Sequence, residues 1–265
     1  MMFDKWRNRF VFDGTTGLPR SSNAASSFHL WWDVPDRPWV EIEAVLEILV
    51  SPRVAALSFW ALQVTFMDEG LPAGGAHLGL QWHRPHPGST AANWGGYRPA
   101  IGGFSAGELE GSPSLLPSAP GNVNTRDFAW APKRCYRLRV AAGESQPPPG
   151  LHAWRGEVTD LETGIVTVVR DLWSPGTRLA SPVVWSEVFA RCDDPSSSVR
   201  WSGLRLTDTT GTRHDVTAVS VNYQGVDDGG CVNTNSSADD IGVVQTTGTL
   251  RATPQGTRLM LAPTR

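Results

Sequence analysis

The stretch GLHAWRGEVTDLETGIVTVVRDLW, residues 150–173, decides the fold class. In its first half Trp154 and Val158 alternate with Arg155 and Glu157, which is the two-residue period of a β-strand. The segment DLETG then supplies turn residues, and the β-branched run IVTVVR follows. The stretch therefore predicts a β-hairpin.

The same period continues as far as residue 206. PVVWSEVFARC at 182–192 and VRWSGLRL at 199–206 predict two more strands. In the second of these, Leu204 and Leu206 alternate with Trp201 and Arg205. We therefore expect Trp201 and Arg205 on the face opposite the aliphatic side chains.

Similar alternation recurs along most of the chain. FHLWWDV, VEIEAVLEILV, SFWALQVTF and AHLGLQWH precede the central block, and HDVTAVSVNY, GVVQTTGTL and TRLMLA follow it. Roughly eleven to thirteen strands satisfy the alternation criterion. The sequence predicts an all-β fold, a two-sheet antiparallel β-sandwich of jelly-roll type with long loops and little helix. The positions expected in its core are Trp32, Ile42, Trp60, Leu80, Val158 and Leu204.

The chain length of 265 residues suits one large β-sandwich. Residues 1–27 form a polar lead-in, and 28–265 are expected to form a single domain. The segment 84–132 is rich in Gly, Pro and Ser and lacks periodic apolar residues. We expect it to be a long loop that shapes a binding site with Trp94 and Tyr97.

Composition excludes some classes of partner. The net charge is −3 and Lys and Arg do not cluster, which argues against a nucleic-acid-binding protein. No run of 18 apolar residues predicts a membrane span, and the first residues lack the apolar core of a signal peptide, so the default expectation is a cytoplasmic protein. At most one disulfide can form among Cys135, Cys192 and Cys231, and the sequence leaves the pairing open.

Tryptophan is abundant, with 12 residues. An exposed indole stacks on the C–H face of a sugar while polar neighbours bind the hydroxyls. Side chains of both kinds form the predicted glycan-binding set: Trp31, Gln63, Gln81, Trp94, Tyr97, Trp185, Glu187, Trp201 and Arg205.

Glu187 is the candidate for chemistry, because it shares a strand face with Trp185 and Phe189. Desolvation there would raise its pKa toward that of a general acid. The alternative is a structural ion pair with an arginine, for which Arg155, Arg191 and Arg205 are the candidates.

Three short motifs give weaker signals. GFSAG at 103–107 matches the nucleophile elbow of serine hydrolases, but no strand and helix flank it. His83 and His86 in HRPH make a metal site conceivable, although hydrogen-bonded histidines are the more ordinary interpretation. The run DDGGCVNTNSSADD at 227–240 offers oxygen ligands for a structural calcium or is a polar turn. No cofactor is predicted otherwise.

The motif W-x-G-E-V-x-D-x-x-T-G at Trp154–Gly164 and the later W-S-E-V at 185–188 resemble the concanavalin A-like lectin/glucanase jelly rolls. The resemblance implies a concave sheet that binds glycans. The glucanase signature E-x-D-x-x-E is absent, since Glu41, Glu43 and Glu47 have other residues between them.

We therefore expect a non-catalytic carbohydrate-binding protein. Two alternatives stay open: a glycoside hydrolase or polysaccharide lyase that uses Glu187 as acid or base, and a structural or interaction subunit with no small ligand.

Overall fold

The computed structural model describes residues 12–99, 107–118 and 122–261. The described part of the chain contains β-strands and one short 3₁₀ turn, Pro87–Ser89. The first eight strands are β1 Ser26–Trp32, β2 Trp39–Val50, β3 Ser58–Asp68, β4 Leu71–Trp82, β5 Thr90–Tyr97, β6 Thr125–Asp127, β7 Cys135–Ala142 and β8 His152–Asp160. The others are β9 Val166–Ser174, β10 Arg178–Val188, β11 Ser198–Asp208, β12 Arg213–Asp215, β13 Ala218–Tyr223, β14 Thr234–Ala238, β15 Val243–Thr247 and β16 Arg258–Met260. The all-β prediction is confirmed.

The strands form two antiparallel layers. The first sheet has the order β16-β13-β1-β10-β3-β4-β5-β6. The second has the order β14-β15-β11-β2-β7-β8-β9, with β12 paired to one end of β11. The sheets meet at one corner, where Leu179 of β10 pairs with Trp39 of β2.

One hydrophobic core fills the space between the layers. All six positions predicted for it are at most 6% exposed. Hydrogen bonds also cross the core: Trp94 on β5 donates its Nε1–H to the carbonyl of Trp154 on β8 at 3.2 Å. The Gln245 side chain on β15 accepts from Ser186 and donates to the carbonyl of Phe28, so buried polar groups tie the sheets together.

The hairpin of 150–173 is confirmed as β8 and β9. Its turn is fixed by the Asp160 carboxylate, which accepts the backbone N–H groups of Glu162 and Thr163. Gly164 closes the turn with φ of 72°, a left-handed conformation that glycine adopts without strain.

The prediction of one long loop at 84–132 is wrong near both of its ends. Residues 90–97 form β5 and 125–127 form β6. The alternation in TAANWGGY went unrecognised because alanine and glycine occupy most of its positions, so apolar and polar faces do not contrast. The GFSAG motif lies outside the described residues except for Gly107.

A β-bulge corrects the predicted orientation of β11. The pairing with β2 shifts between Ser202 and Arg205, and Gly203 has φ of 54°. The extra residue reverses the alternation, so Trp201 faces the core together with Leu204 and Leu206.

The outer face of the second sheet carries alternating charges, which we call the charge ladder. Arg139 on β7 binds Glu41 on β2 and Glu157 on β8. Arg205 on β11 donates to Glu43 at 3.0 Å. The remaining members are Glu47, Arg137, Arg155, Asp171 and Arg200.

Candidate active site

The outer face of the first sheet, which we call the polar face, carries a different set of side chains. The strand registers align them in rows across β4, β3, β10 and β1. One row is Gln81, Phe59, Glu187 and Ser27; the next is Gly79, Ala61, Trp185 and His29; the third is His77, Gln63, Val183 and Trp31.

Glu187 is the ionisable centre of this face. Its Oε1 accepts a hydrogen bond from Nδ2 of Asn23 at 2.9 Å. Burial raises the pKa of the Glu187 carboxyl above its ordinary value of 4.5, and hydrogen bonds from Asn23 and Ser27 offset part of that rise.

The arginines proposed as partners of Glu187 lie elsewhere. Arg155 binds Asp171, Arg191 binds Asp193, and Arg205 binds Glu43 and Asp215. Within the described residues Glu187 therefore has no cationic partner, and an amide holds it instead.

Asn23 is positioned by residues 13–24, which we call the N-terminal strap. Gly14 and Gly17 accept backbone hydrogen bonds from Val232 and Cys192 at 2.9 and 2.7 Å, and Arg20 donates to the carbonyl of Gly229 at 2.9 Å. A Cβ on Gly229 would lie 2.1 Å from the backbone nitrogen of Ser21, so only glycine permits this approach. A disulfide joins Cys192 to Cys231 directly beneath the strap contacts.

Two histidines and Phe59 surround the ring of Trp185, which lies on the same strand face as Glu187. The Trp185 ring is 5.0 Å from Phe59, 6.1 Å from His29 and 6.0 Å from His77, measured between centroids. Burial lowers the pKa of His29 and of His77 to about 4. Both imidazoles are therefore neutral at pH 7, and the neighbourhood of Glu187 carries no positive charge from them.

Several buried polar atoms on this face lack a hydrogen-bond partner in the described structure. They are Nδ1 of His29, Nε1 of Trp185, Oε1 of Gln81 and Oδ1 of Asn93. An unpaired buried donor or acceptor lowers the stability of the fold, unless a ligand or a water molecule forms a hydrogen bond with it. The face thus offers isolated donors and acceptors next to an uncharged aromatic cluster.

The structure brings together five of the nine predicted site residues, namely Trp31, Gln63, Gln81, Trp185 and Glu187. Trp31 is exposed, but Trp185 is only 6% exposed and presents no open stacking surface. Tyr97 lies at the far end of the same face, where its hydroxyl approaches Gly75.

The other three predicted site residues do not reach the face. Trp94 and Trp201 are fully buried in the core. Arg205 belongs to the charge ladder on the opposite side of the molecule. The structure therefore does not place these three side chains with the rest of the predicted set.

The predicted ligand-binding set does not include Asn23, Ser27, His29 or His77. The alternation in FHLWWDV and AHLGLQWH places His29 and His77 on polar faces, which could have revealed them. Asn23 gave no signal, because it precedes the first strand and reaches Glu187 across 164 residues of sequence.

The described residues contain no large cluster of metal-ligating side chains. Within them, no three His, Cys, Asp or Glu side chains converge as ion ligands. The calcium interpretation of 227–240 stays a prediction; part of that run forms β14. No helix of the described chain is long and apolar enough to cross a membrane.

Comparisons with known proteins gave matches only among solved structures. No family model matches the chain, and neither does any curated protein. The chain is similar to a scytalido-glutamic peptidase with a peptide-based transition-state analogue, and to SCP-B, a member of the eqolisin family of peptidases, with the tripeptide Ala-Ile-His. Each shows 10% identity and a TM-score of 0.40, covering 88% of this chain and 99% of the other.

The expected function, non-catalytic carbohydrate binding, is corrected by these findings. The similar solved structures are described as glutamic peptidases and not as lectins. Independently, Trp94, Trp185 and Trp201 are buried, so Trp31 is the one predicted tryptophan of the site that is exposed in the described residues.

Proposed function

We propose that this protein is a hydrolase that cleaves amide bonds with Glu187 as general base and general acid. The observation that carries the proposal is the environment of Glu187: a half-buried carboxyl with a raised pKa, a side-chain amide at 2.9 Å and, within the described residues, no cationic partner. A structural carboxylate on a sheet face is ordinarily paired with arginine, as every acidic member of the charge ladder is.

The proposed reaction needs no group beyond those present. The Glu187 carboxylate takes a proton from a water molecule, whose oxygen attacks the carbonyl carbon of the substrate. Asn23 Nδ2 has two hydrogens; one binds Glu187, and the other donates to the oxyanion that develops. The protonated Glu187 then gives its proton to the leaving nitrogen as the C–N bond breaks, which restores the carboxylate.

A peptide-like amide suits the remaining groups of the polar face. Its backbone supplies N–H donors and carbonyl acceptors at regular spacing, which complement the unpaired atoms of Gln81, Asn93, His29 and Trp185. Because His29 and His77 are neutral, the face favours uncharged side chains next to the scissile bond.

The test is cleavage of a fluorogenic peptide library between pH 4 and pH 8. We expect hydrolysis whose rate falls on acidification, with an apparent pKa above 4.5, because the base must be ionised. Glu187→Gln should lower kcat by about 10²–10⁴-fold, and Asn23→Ala by about 10²-fold as an oxyanion donor is lost.

Glu157→Gln is the matched control, since Glu157 lies on the outer face of the other sheet. It should leave cleavage unchanged. A folded wild-type protein that cleaves no peptide across the pH range, or a Glu187→Gln variant as active as wild type, would refute the proposed activity.

We further infer that the chain folds in an oxidising compartment, in place of the cytoplasmic default. The disulfide between Cys192 and Cys231 supports this inference, because such bonds are rare in reducing cytosol. The finer assignment of the sandwich to the concanavalin A-like jelly rolls likewise stays a proposal, supported by the hairpin motif at Trp154–Gly164.

A further inference from the structure

The turn between β4 and β5 holds His83 and His86 close together. Their ring centroids are 5.2 Å apart at an interplanar angle of 47°. The turn is rigid: His83 donates its backbone N–H to Ser89, Ser89 donates to His86, and His86 donates to His83, at 2.8, 2.9 and 3.1 Å. The turn therefore holds the two tilted rings next to each other without a helix to align them.

Asp127 on β6 fixes the orientation of His86. Its Oδ1 lies 2.6 Å from Nδ1 of His86, whose side chain is 5% exposed. A carboxylate that accepts this hydrogen bond places a proton on Nδ1, and in the neutral imidazole Nε2 then keeps its lone pair. A carboxylate behind the imidazole is the arrangement that surrounds metal-binding histidines.

His83 supplies the second nitrogen. Its Nδ1 is buried and makes no hydrogen bond within the described structure. An unprotonated imidazole nitrogen is a Lewis base. Since no hydrogen-bond donor reaches His83 Nδ1 in the described structure, a metal ion could take that position.

We propose that His83 and His86 bind a divalent transition-metal ion of the Zn²⁺ or Cu²⁺ class, with Asp127 as the positioning residue for His86. Two imidazoles leave the other positions of the ion to water or an outside ligand. Imidazole favours Zn²⁺, Cu²⁺ and Ni²⁺ over Mg²⁺ and Ca²⁺, which prefer oxygen. This site is distinct from Glu187, since His83 and His86 lie in the turn after β4 and strand β3 separates β4 from β10.

Isothermal titration of the metal-free protein with ZnCl₂ and CuCl₂ tests the proposal. We expect one ion per chain with Cu²⁺ bound more tightly than Zn²⁺, and no heat above background with MgCl₂. His83→Gln and His86→Gln should abolish binding, and Asp127→Asn should weaken it by about 10–100-fold.

His152→Gln is the control, because His152 is an exposed histidine at the start of β8. It should bind as wild type does. Circular dichroism verifies that each variant is folded. If His83→Gln misfolds, His83→Asn is used instead, and it should lose the rise in Tm that Zn²⁺ causes in the wild type. Zn²⁺ binding that survives both histidine substitutions, or no binding at millimolar Zn²⁺, would overturn the proposal.

Discussion

Glu187 is held in an environment that opposes its ionisation. The folded state raises its pKa, so between the ordinary value of 4.5 and the raised value the folded protein binds more protons than the unfolded chain. The contribution of Glu187 to stability is therefore full below pH 4.5 and is lost as the pH rises through the folded-state pKa.

Glu187→Gln should consequently raise the melting temperature at pH 8 and change it little at pH 4. Thermal unfolding followed by circular dichroism at both values measures this. A variant that is less stable than wild type at pH 8 would mean that the carboxylate stabilises the fold and that its burial has been misjudged.

Trp94 shows how burial changes the meaning of a tryptophan. Its indole fills the space above Gly156, where a Cβ would lie 2.6 Å from the ring. The sequence around it, NWGGY, resembles an exposed loop because small residues flank the ring. Its role was predictable only after β5 had been recognised as a strand whose even-numbered positions face the core.

Trp94→Ala should therefore destabilise the protein by about 3–5 kcal/mol, the cost of removing a fully buried aromatic ring. Trp31→Ala is the comparison, because Trp31 is 42% exposed and should cost far less. Urea unfolding of both variants gives the free energies. Equal losses at the two positions would show that Trp94 does not pack in the core.

At the scale of elements, the N-terminal strap depends on the disulfide. Cys192 and Cys231 each adjoin residues that bind the strap, including Asp193 and Val232. The two cysteines are 39 residues apart in sequence, and their disulfide links the segment after β10 to the segment before β14. The sequence could not reveal the pairing, because three cysteines allow three choices and only the sheet topology brings two of them together.

Replacing Cys192 and Cys231 with serine should lower the free energy of unfolding by about 2–4 kcal/mol. Cys135→Ser should cost much less, since Cys135 is the free cysteine of the described chain. Labelling of the denatured, unreduced protein should modify one thiol, and three after reduction. Three reactive thiols before reduction would contradict the disulfide.

The bulge in β11 marks a second limit of sequence reasoning. Alternation predicted the strand correctly. The extra residue at Gly203 moved Trp201 from the predicted outer face to the core. The glycine was visible in the sequence, but glycine occurs as often in turns and at close contacts. The strands before and after such a point are predictable, whereas the phase between them is not.

For the whole molecule, one core cluster spans both sheets, and buried hydrogen bonds from Trp94 and Gln245 cross it. Each sheet needs the other to shield its apolar inner face from water. We expect a single cooperative unfolding transition in calorimetry, with equal calorimetric and van't Hoff enthalpies. Two resolved transitions would show that the sheets unfold separately and that 28–265 is not one domain.

The layer architecture followed from period two, because one-sided burial forces that pattern on most strands. The predicted eleven to thirteen strands fall short of the 16 in the described residues, since the three-residue β6 and the alanine- and glycine-rich β5 show no clear alternation. The candidate site followed only in part, because it depends on the register between strands distant in sequence. Glu187, Gln81 and Ser27 belong to β10, β4 and β1, and nothing local to any of them indicates that they share a row.

The charge ladder has a consequence for how other molecules meet this protein. Its positive and negative groups alternate between neighbouring strands, within hydrogen-bonding distance of each other. At physiological salt the Debye length is about 8 Å, so their fields cancel before a diffusing protein can sense them. The exposed parts of these charged groups are hydrated, and removing their water on contact is unfavourable. We therefore expect the charge ladder to bind other proteins only weakly. Association should occur mainly through the polar face on the opposite side.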